Sequence, residues 1–305
     1  MTGYRSLIAA IAAVIMLVLT SCSSTSDSAS SSSKLSLEAL TQQSLSTLAG
    51  VTSVDAHQMA VTKASSNRSD PDAWSLDIDV AMADGATADQ VVAAANATRA
   101  FTKDHVGSAR WVAHLRVGAI TTVPGEDRAA SSPLQIEIYP TVRSSAGADA
   151  RDAIALKVIP RVTGVAITNK VVFVQVTDAK DLTPVFDKLR ALPIWKAGGT
   201  LKTDTDQIRL ADVPARITAA QVHAFFSASV VYPDADFAIE SSGQSPEVYV
   251  NHVTTAQARA ITSSFTKPAL AAKTLDGFVL EFNIRASDAN QTLDTHGTFG
   301  ERASS

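Results

Sequence analysis

Three segments of the chain carry one helix-start signature: Thr87-Ala88-Asp89-Gln90, Thr218-Ala219-Ala220-Gln221 and Thr254-Thr255-Ala256-Gln257. In each, the threonine hydroxyl is placed to accept from the backbone N–H three residues on. The glutamine side chain reaches back to the threonine N–H, completing a reciprocal capping box. Such a box commits the backbone to leave an extended conformation at a defined residue, so it dictates where strands must stop. Ala-rich amphipathic runs follow, with Val91, Val92, Ala95 and Phe101 in one and Val222, Phe225, Phe226 and Val230 in another.

Between these helices the chain alternates with period two. Trp74, Leu76, Ile78, Val80 and Met82 fall on one face of a predicted strand and Ser75, Asp77, Asp79 and Ala81 on the other. That pattern belongs to a sheet with one side covered. The same holds for Leu134, Ile136 and Ile138, for Val172, Val174 and Val176, and for Phe278, Leu280, Phe282 and Ile284.

Taken in order, residues 36–120 read helix, strand, strand, helix, strand. Residues 133–204 and 206–286 each read strand, helix, strand, strand, helix, strand. The expected fold class is α+β, with three tandem two-layer α/β sandwich units and helices on one face of a mainly antiparallel sheet. Units of about 70 to 85 residues bury only about 60% of their unfolded surface, so they are expected to pack against one another. Residues 121–133, with Pro124-Gly125, are the expected hinge, and residues 287–305, which lack periodicity, the expected disordered tail. The element order, with Leu48 to Val54 and the Gly50-Val51 pair echoed at Gly164-Val165, resembles a BON-type envelope domain over about half the chain. A ferredoxin-like plait accounts for the same order.

The N-terminus is read independently of the fold. Arg5 precedes an uncharged run from Leu7 to Leu19, followed by Thr20-Ser21-Cys22, the charged, apolar and cleavable order of an export signal. Thirteen helical residues span about 20 Å, short of the roughly 30 Å hydrocarbon layer. Cys22 is the single cysteine. Leu19-Thr20-Ser21-Cys22 resembles the lipobox of bacterial membrane lipoproteins. That resemblance implies a signal peptide over residues 1–21 and a diacylglycerol and palmitate anchor on Cys22, at the extracytoplasmic face of the cell membrane. Two acyl chains, at about 0.8 kcal/mol per buried methylene, suffice for stable attachment. Residues 22–35 are serine-rich and form a solvated tether.

Composition narrows the partners. The formal charge is −4, and removing the signal, which holds Arg5 and no acid, takes it to −5. An acidic balance argues against nucleic acid as a partner and against polybasic attraction to anionic lipid. With one cysteine there is no internal disulfide.

No linear motif marks an active centre. No serine sits in a Gly-x-Ser-x-Gly elbow, and none of the six histidines forms a His-Glu-x-x-His pair. Asp77 and Asp79 project from one strand face with Asp84 just beyond, and His114 shares a face with Val112 and Arg116. These read as solvated or partner-facing strand residues rather than as ligands. Trp74 and Trp111 read as core, and Trp195 as completing a core near a helix end. Catalytic, cofactor-binding and metal-ligating residues are therefore none, and Cys22 is the lipid-attachment residue. The expected function is a lipid-anchored, non-catalytic binding or scaffold protein of the cell envelope, with an unidentified envelope protein or small molecule as partner. The alternative is an envelope enzyme or small-molecule carrier whose site forms between units, drawing on Asp77, Asp79 and His114.

Overall fold

Every strand pairs with its neighbour in sequence. The computed structural model describes residues 36–62, 69–106, 110–119, 133–140, 146–168, 171–242, 245–272, 277–288 and 291–301. Among them, twelve strands form one mixed sheet whose spatial order is the chain order. The strands are β1 (Val51–Thr62), β2 (Ser69–Met82), β3 (Arg110–Val117), β4 (Leu134–Ile138), β5 (Val162–Thr168) and β6 (Val171–Val176). They continue as β7 (Gly199–Thr203), β8 (Ile208–Asp212), β9 (Asp236–Ser242), β10 (Ser245–Val253), β11 (Glu281–Asp288) and β12 (Gln291–Thr298). The helices are α1 (Leu37–Leu45), α2 (Ala88–His105), α3 (Ala146–Lys157), α4 (Ala179–Arg190), α5 (Ala219–Val231) and α6 (Thr255–Phe265).

Pairing follows a strict alternation. The hairpin pairs β1/β2, β3/β4, β5/β6, β7/β8, β9/β10 and β11/β12 are antiparallel. The intervening pairs, each bridged by one of α2 to α6, are parallel. With α1 leading β1, the described chain is a helix-hairpin unit repeated six times. A ferredoxin-like plait inserts another strand between the parallel partners of each crossover. Here those partners are hydrogen-bonded directly, so the ferredoxin-like option is corrected.

The three stretches read from sequence contain the expected elements, yet their borders fall inside hairpins. The expected hinge joins β3 to β4, which pair from Ala113↔Ile138 to Val117↔Leu134; residues 120–132 lie outside the described residues. The described residues from Ser36 onward belong to one unit. The expected disordered tail is also corrected, because β12 pairs with β11 over eight register positions from Glu281↔Thr298 to Asp288↔Gln291.

Alternation sets the two faces. Pairs such as Leu76↔Trp111, Leu115↔Ile136, Ile167↔Val172, Leu210↔Ile239 and Val250↔Ile284 run across the sheet, and every one of these residues is buried. The helices bury their apolar sides in this same cluster. All three capping boxes form, with both reciprocal bonds present at Thr87/Gln90, Thr218/Gln221 and Thr254/Gln257. Helices α2 and α3 approach closely where Gly147 N–H donates to Asn96 Oδ1 at 3.0 Å. A Cβ on Gly147 would lie 2.6 Å from that amide. Beneath α4 and α5, Phe186, Phe226, Phe225 and Phe237 make a chain of ring contacts 5.5 to 5.9 Å apart, a geometry contributing about 0.5–1.5 kcal/mol per pair beyond area burial. Trp111 is in the core and Trp195 is fully buried. The Trp74 side chain lies outside the described residues.

Candidate functional site on the open sheet face

The face opposite the helices carries the other half of each alternation. On β2, β3 and β4 it presents Asp77 and Asp79, His114 and Arg116, then Gln135 and Glu137, with Tyr139 just past the end of β4. Register makes Asp79, His114 and Glu137 lateral neighbours across three strands. Residues separated by more than twenty positions in sequence thus meet because parallel and antiparallel ladders place their Cβ atoms side by side.

His114 lies between two carboxylates. Its Nε2 is 3.3 Å from Asp77 Oδ1 and its Nδ1 is 3.6 Å from Glu137 Oε1. Arg116 Nη2 is 2.9 Å from Asp79 Oδ1. Glu137 is bonded again from the other side, accepting from Tyr139 Oη at 2.6 Å and from Gln135 Nε2 at 3.4 Å. Asp77 Oδ1, Asp79 Oδ1 and His114 Nδ1 are buried atoms that make ion-pair contacts and no hydrogen bond, and Arg116 Nε is buried with no hydrogen-bond partner. The cluster is partly desolvated and retains hydrogen-bonding capacity, which suits it to exchange internal ion pairs for those of a partner.

Burial, followed by the Glu137 hydrogen bond and the nearby charges of Glu137 and Asp77, pushes the Tyr139 phenol up to about 12. A second tyrosine-glutamate pair sits on the same face of β10, where Tyr249 Oη donates to Glu247 at 2.7 Å. That bond, then burial, pushes Tyr249 up to about 12 as well.

The structure therefore unites Asp77, Asp79 and His114, the residues named from sequence for a composite site, and leaves Asp84 in the turn beyond β2. Sequence reasoning missed Glu137 and Tyr139. The signal that could have found them is Glu-x-Tyr on a strand, at Glu137-Ile138-Tyr139 and again at Glu247-Val248-Tyr249. It also missed Phe173, an aromatic on this face beside Ala166 and Thr200.

A cavity of about 540 Å³ opens elsewhere on the sheet, at the β7–β8 turn and the neighbouring ends of β9 and β10, and none of the cluster residues lines it. Among the described residues, no group of three or more His, Cys, Asp or Glu is arranged to hold a metal ion. No helix among them is long and apolar enough to cross a membrane. Cys22 and the rest of residues 1–35 lie outside the described residues. No protein family, curated protein or solved structure matches this chain.

Proposed function

We propose that the protein is a lipid-anchored extracytoplasmic lipoprotein that serves the cell envelope as a non-catalytic binding or scaffold component. Cys22 carries the acyl anchor, the serine-rich stretch is the tether, and the sheet's open face meets an envelope partner. One observation carries the binding half of this reading: the helices cover one side of a continuous twelve-stranded sheet, and the other side is open and mostly polar and charged, with apolar side chains such as Phe173 among them. Twelve strands at about 4.8 Å spacing extend roughly 50 Å across the ladder. With about 20 Å of strand length, that supplies an area of order 1,000 Å², comparable to the roughly 800 Å² each partner contributes to a standard interface. The order helix, strand, strand, helix, strand from Leu37 to Val117 supports a BON-like ancestry for the units as part of this proposal.

Two measurements test it. Mass analysis of the mature protein from native membranes should find a diacylated Cys22 at the N-terminus, and Cys22→Ser should release the chain from the membrane fraction. A bare thiol, or membrane retention of the variant, overturns the anchor. A photo-crosslinker at Phe173 on the open face should capture an envelope component, whereas one at Arg151 on α3 should not; the reverse pattern overturns the assignment of the face.

A further inference from the structure

The open sheet ends in β1 on one side and β12 on the other, and the chain treats these edges differently. β1 is guarded. Its register with β2 breaks at Val51/Ser53 and again at Ala60/Thr62, and its Gln58 N–H donates to Glu38 Oε1 on α1 at 2.9 Å. Bulges and covering groups of this kind keep a further strand from pairing with an edge. β12 pairs with β11 without a register break and contains neither proline nor lysine.

Register fixes which backbone groups of β12 turn outward. Phe299 N–H donates to the Leu280 carbonyl just past the strand. With Gly297 opposite Phe282 and Thr295 opposite Ile284, the alternation of an antiparallel ladder commits the odd-numbered residues to β11. Thr292, Asp294, His296 and Thr298 therefore direct their N–H and C=O groups away from β11, and the Thr298 carbonyl accepts from Glu301 N–H at 3.2 Å. Their side chains lie on the open face. Leu293, Thr295 and Gly297 share the covered face with buried Ala286, Ile284 and Phe282.

An outward row of amides and carbonyls recognises an extended strand, and the side chains of β12 are complementary to β12 itself. Set antiparallel against a second copy, with Thr295 opposite Thr295 on a two-fold axis, Asp294 of each copy stands beside His296 of the other and Thr292 beside Thr298. Leu293 then lies over Gly297, which has no side chain to oppose it. Arg285 Nε holds Asp294 Oδ1 at 3.0 Å, so basic and acidic groups alternate across the join. The neighbouring registers with the same hydrogen-bonding edge set Asp294 against Asp294 or His296 against His296. Opposite charges in lateral pairs stabilise a sheet and like charges destabilise it, which selects the first register.

We propose that β12 joins a second copy of this chain edge to edge, as an antiparallel two-fold dimer that doubles the twelve-stranded sheet. Both open faces then lie on one side. The pairing goes beyond the scaffold function and depends neither on the anchor nor on the His114 cluster.

Sedimentation velocity of the detergent-solubilised mature protein over a concentration series tests it, together with cysteine crosslinking in native membranes. One strand pair is a small interface, below about 1,200 Å², so reversible dimers are expected with a Kd of order 10–100 µM. Asp294→Pro removes an outward N–H and no bond to β11, so it should abolish dimers while the melting temperature holds. His296→Asp places carboxylates side by side at two symmetric positions and should weaken the dimer at least about tenfold, whereas His296→Arg should not. Thr295→Cys should give a disulfide-linked dimer under mild oxidation, because directly opposed Cβ atoms lie about 4.5–5.5 Å apart. Thr292→Cys on β12 and Ser53→Cys on β1 should not, and the native chain, with Cys22 as its single cysteine, is the control. A protein that stays monomeric to about 500 µM overturns the proposal, as it would if the edge takes a strand of a different protein. Dimers that survive Asp294→Pro, or crosslinking of the Thr292 or Ser53 variant in place of the Thr295 variant, equally overturn it.

Discussion

The indole Nε1–H of Trp195 donates to Asp212 Oδ2 across 2.7 Å, tying the 3-10 turn after α4 to the end of β8. The Asp212 side chain is fully buried and also accepts from Arg190 Nε at 2.9 Å and from Arg190 Nη2. Arg190 Nη2 donates onward to the Ile217 carbonyl at 2.8 Å, and its guanidinium lies 4.9 Å over the Phe186 ring. A buried carboxylate is tolerated only when its bonding is satisfied, and this forked pairing with an indole satisfies it. The chain makes room with Gly199, where a Cβ would stand 2.8 Å from the Trp195 ring, and with Gly198 at φ 91°.

Asp212→Ala leaves both Arg190 and the Trp195 N–H without their buried acceptor. The expected cost is about 3–5 kcal/mol of unfolding free energy, the range for breaking a buried ion pair, measured by urea denaturation. A loss below about 1 kcal/mol would show that the pair contributes no more than a surface salt bridge.

The C-terminal segment is integral to the core. Phe299 is 3% exposed, stacks on Phe265 at 4.6 Å and meets Phe282 edge-on at 5.9 Å. Phe299→Ala should cost about 3–5 kcal/mol, while Thr292→Ala on exposed β12 should stay within about 0.5 kcal/mol. Equal and small effects on denaturation midpoints would remove β12 and its following turn from the cooperative unit.

The paired phenols make a pH prediction. With Tyr139 and Tyr249 each pushed up to about 12, two phenols should resist ionisation well beyond the ordinary value near 10 in an ultraviolet titration. A raised phenol favours the protonated form in the fold. Its stabilising contribution is therefore complete below about pH 10 and is lost as pH rises through about 12. The causes differ in rank: the Glu247 bond comes first for Tyr249 and burial comes first for Tyr139. Glu247→Gln should consequently lower the Tyr249 value more than Glu137→Gln lowers that of Tyr139. Ionisation of both phenols near pH 10 in the native protein would contradict the observed pairing.

Much of the local structure was readable. Thr87, Thr218 and Thr254 were identified as caps because a capping box involves only residues three apart. The alternation at Leu76, Ile78 and Val80 assigned a covered face because side-chain direction in a strand is a local property. The composite site was half visible. Asp77, Asp79 and His114 were placed on polar faces, but their meeting with Glu137 depends on β2, β3 and β4 being neighbours in one register. β12 was missed for a physical reason. Its covered-face positions are Leu293, Thr295 and Gly297, opposite Ala286, Ile284 and Phe282, so an edge strand packs with a single large apolar residue and shows no hydrophobic period.

By itself the sequence determined where three of the helices begin, which side of several strands is apolar, and the lone cysteine behind an export-like run. Each of these follows from chemistry within a few residues or from composition. Only the tertiary structure decided that three apparent units share one sheet, that the order of strands is the order of the chain, and that Asp79, His114 and Glu137 become lateral neighbours. Those outcomes depend on pairing between segments whose hydrogen-bonding edges are alike in any sequence, and the choice among them is made by how the helices cover the sheet as a whole.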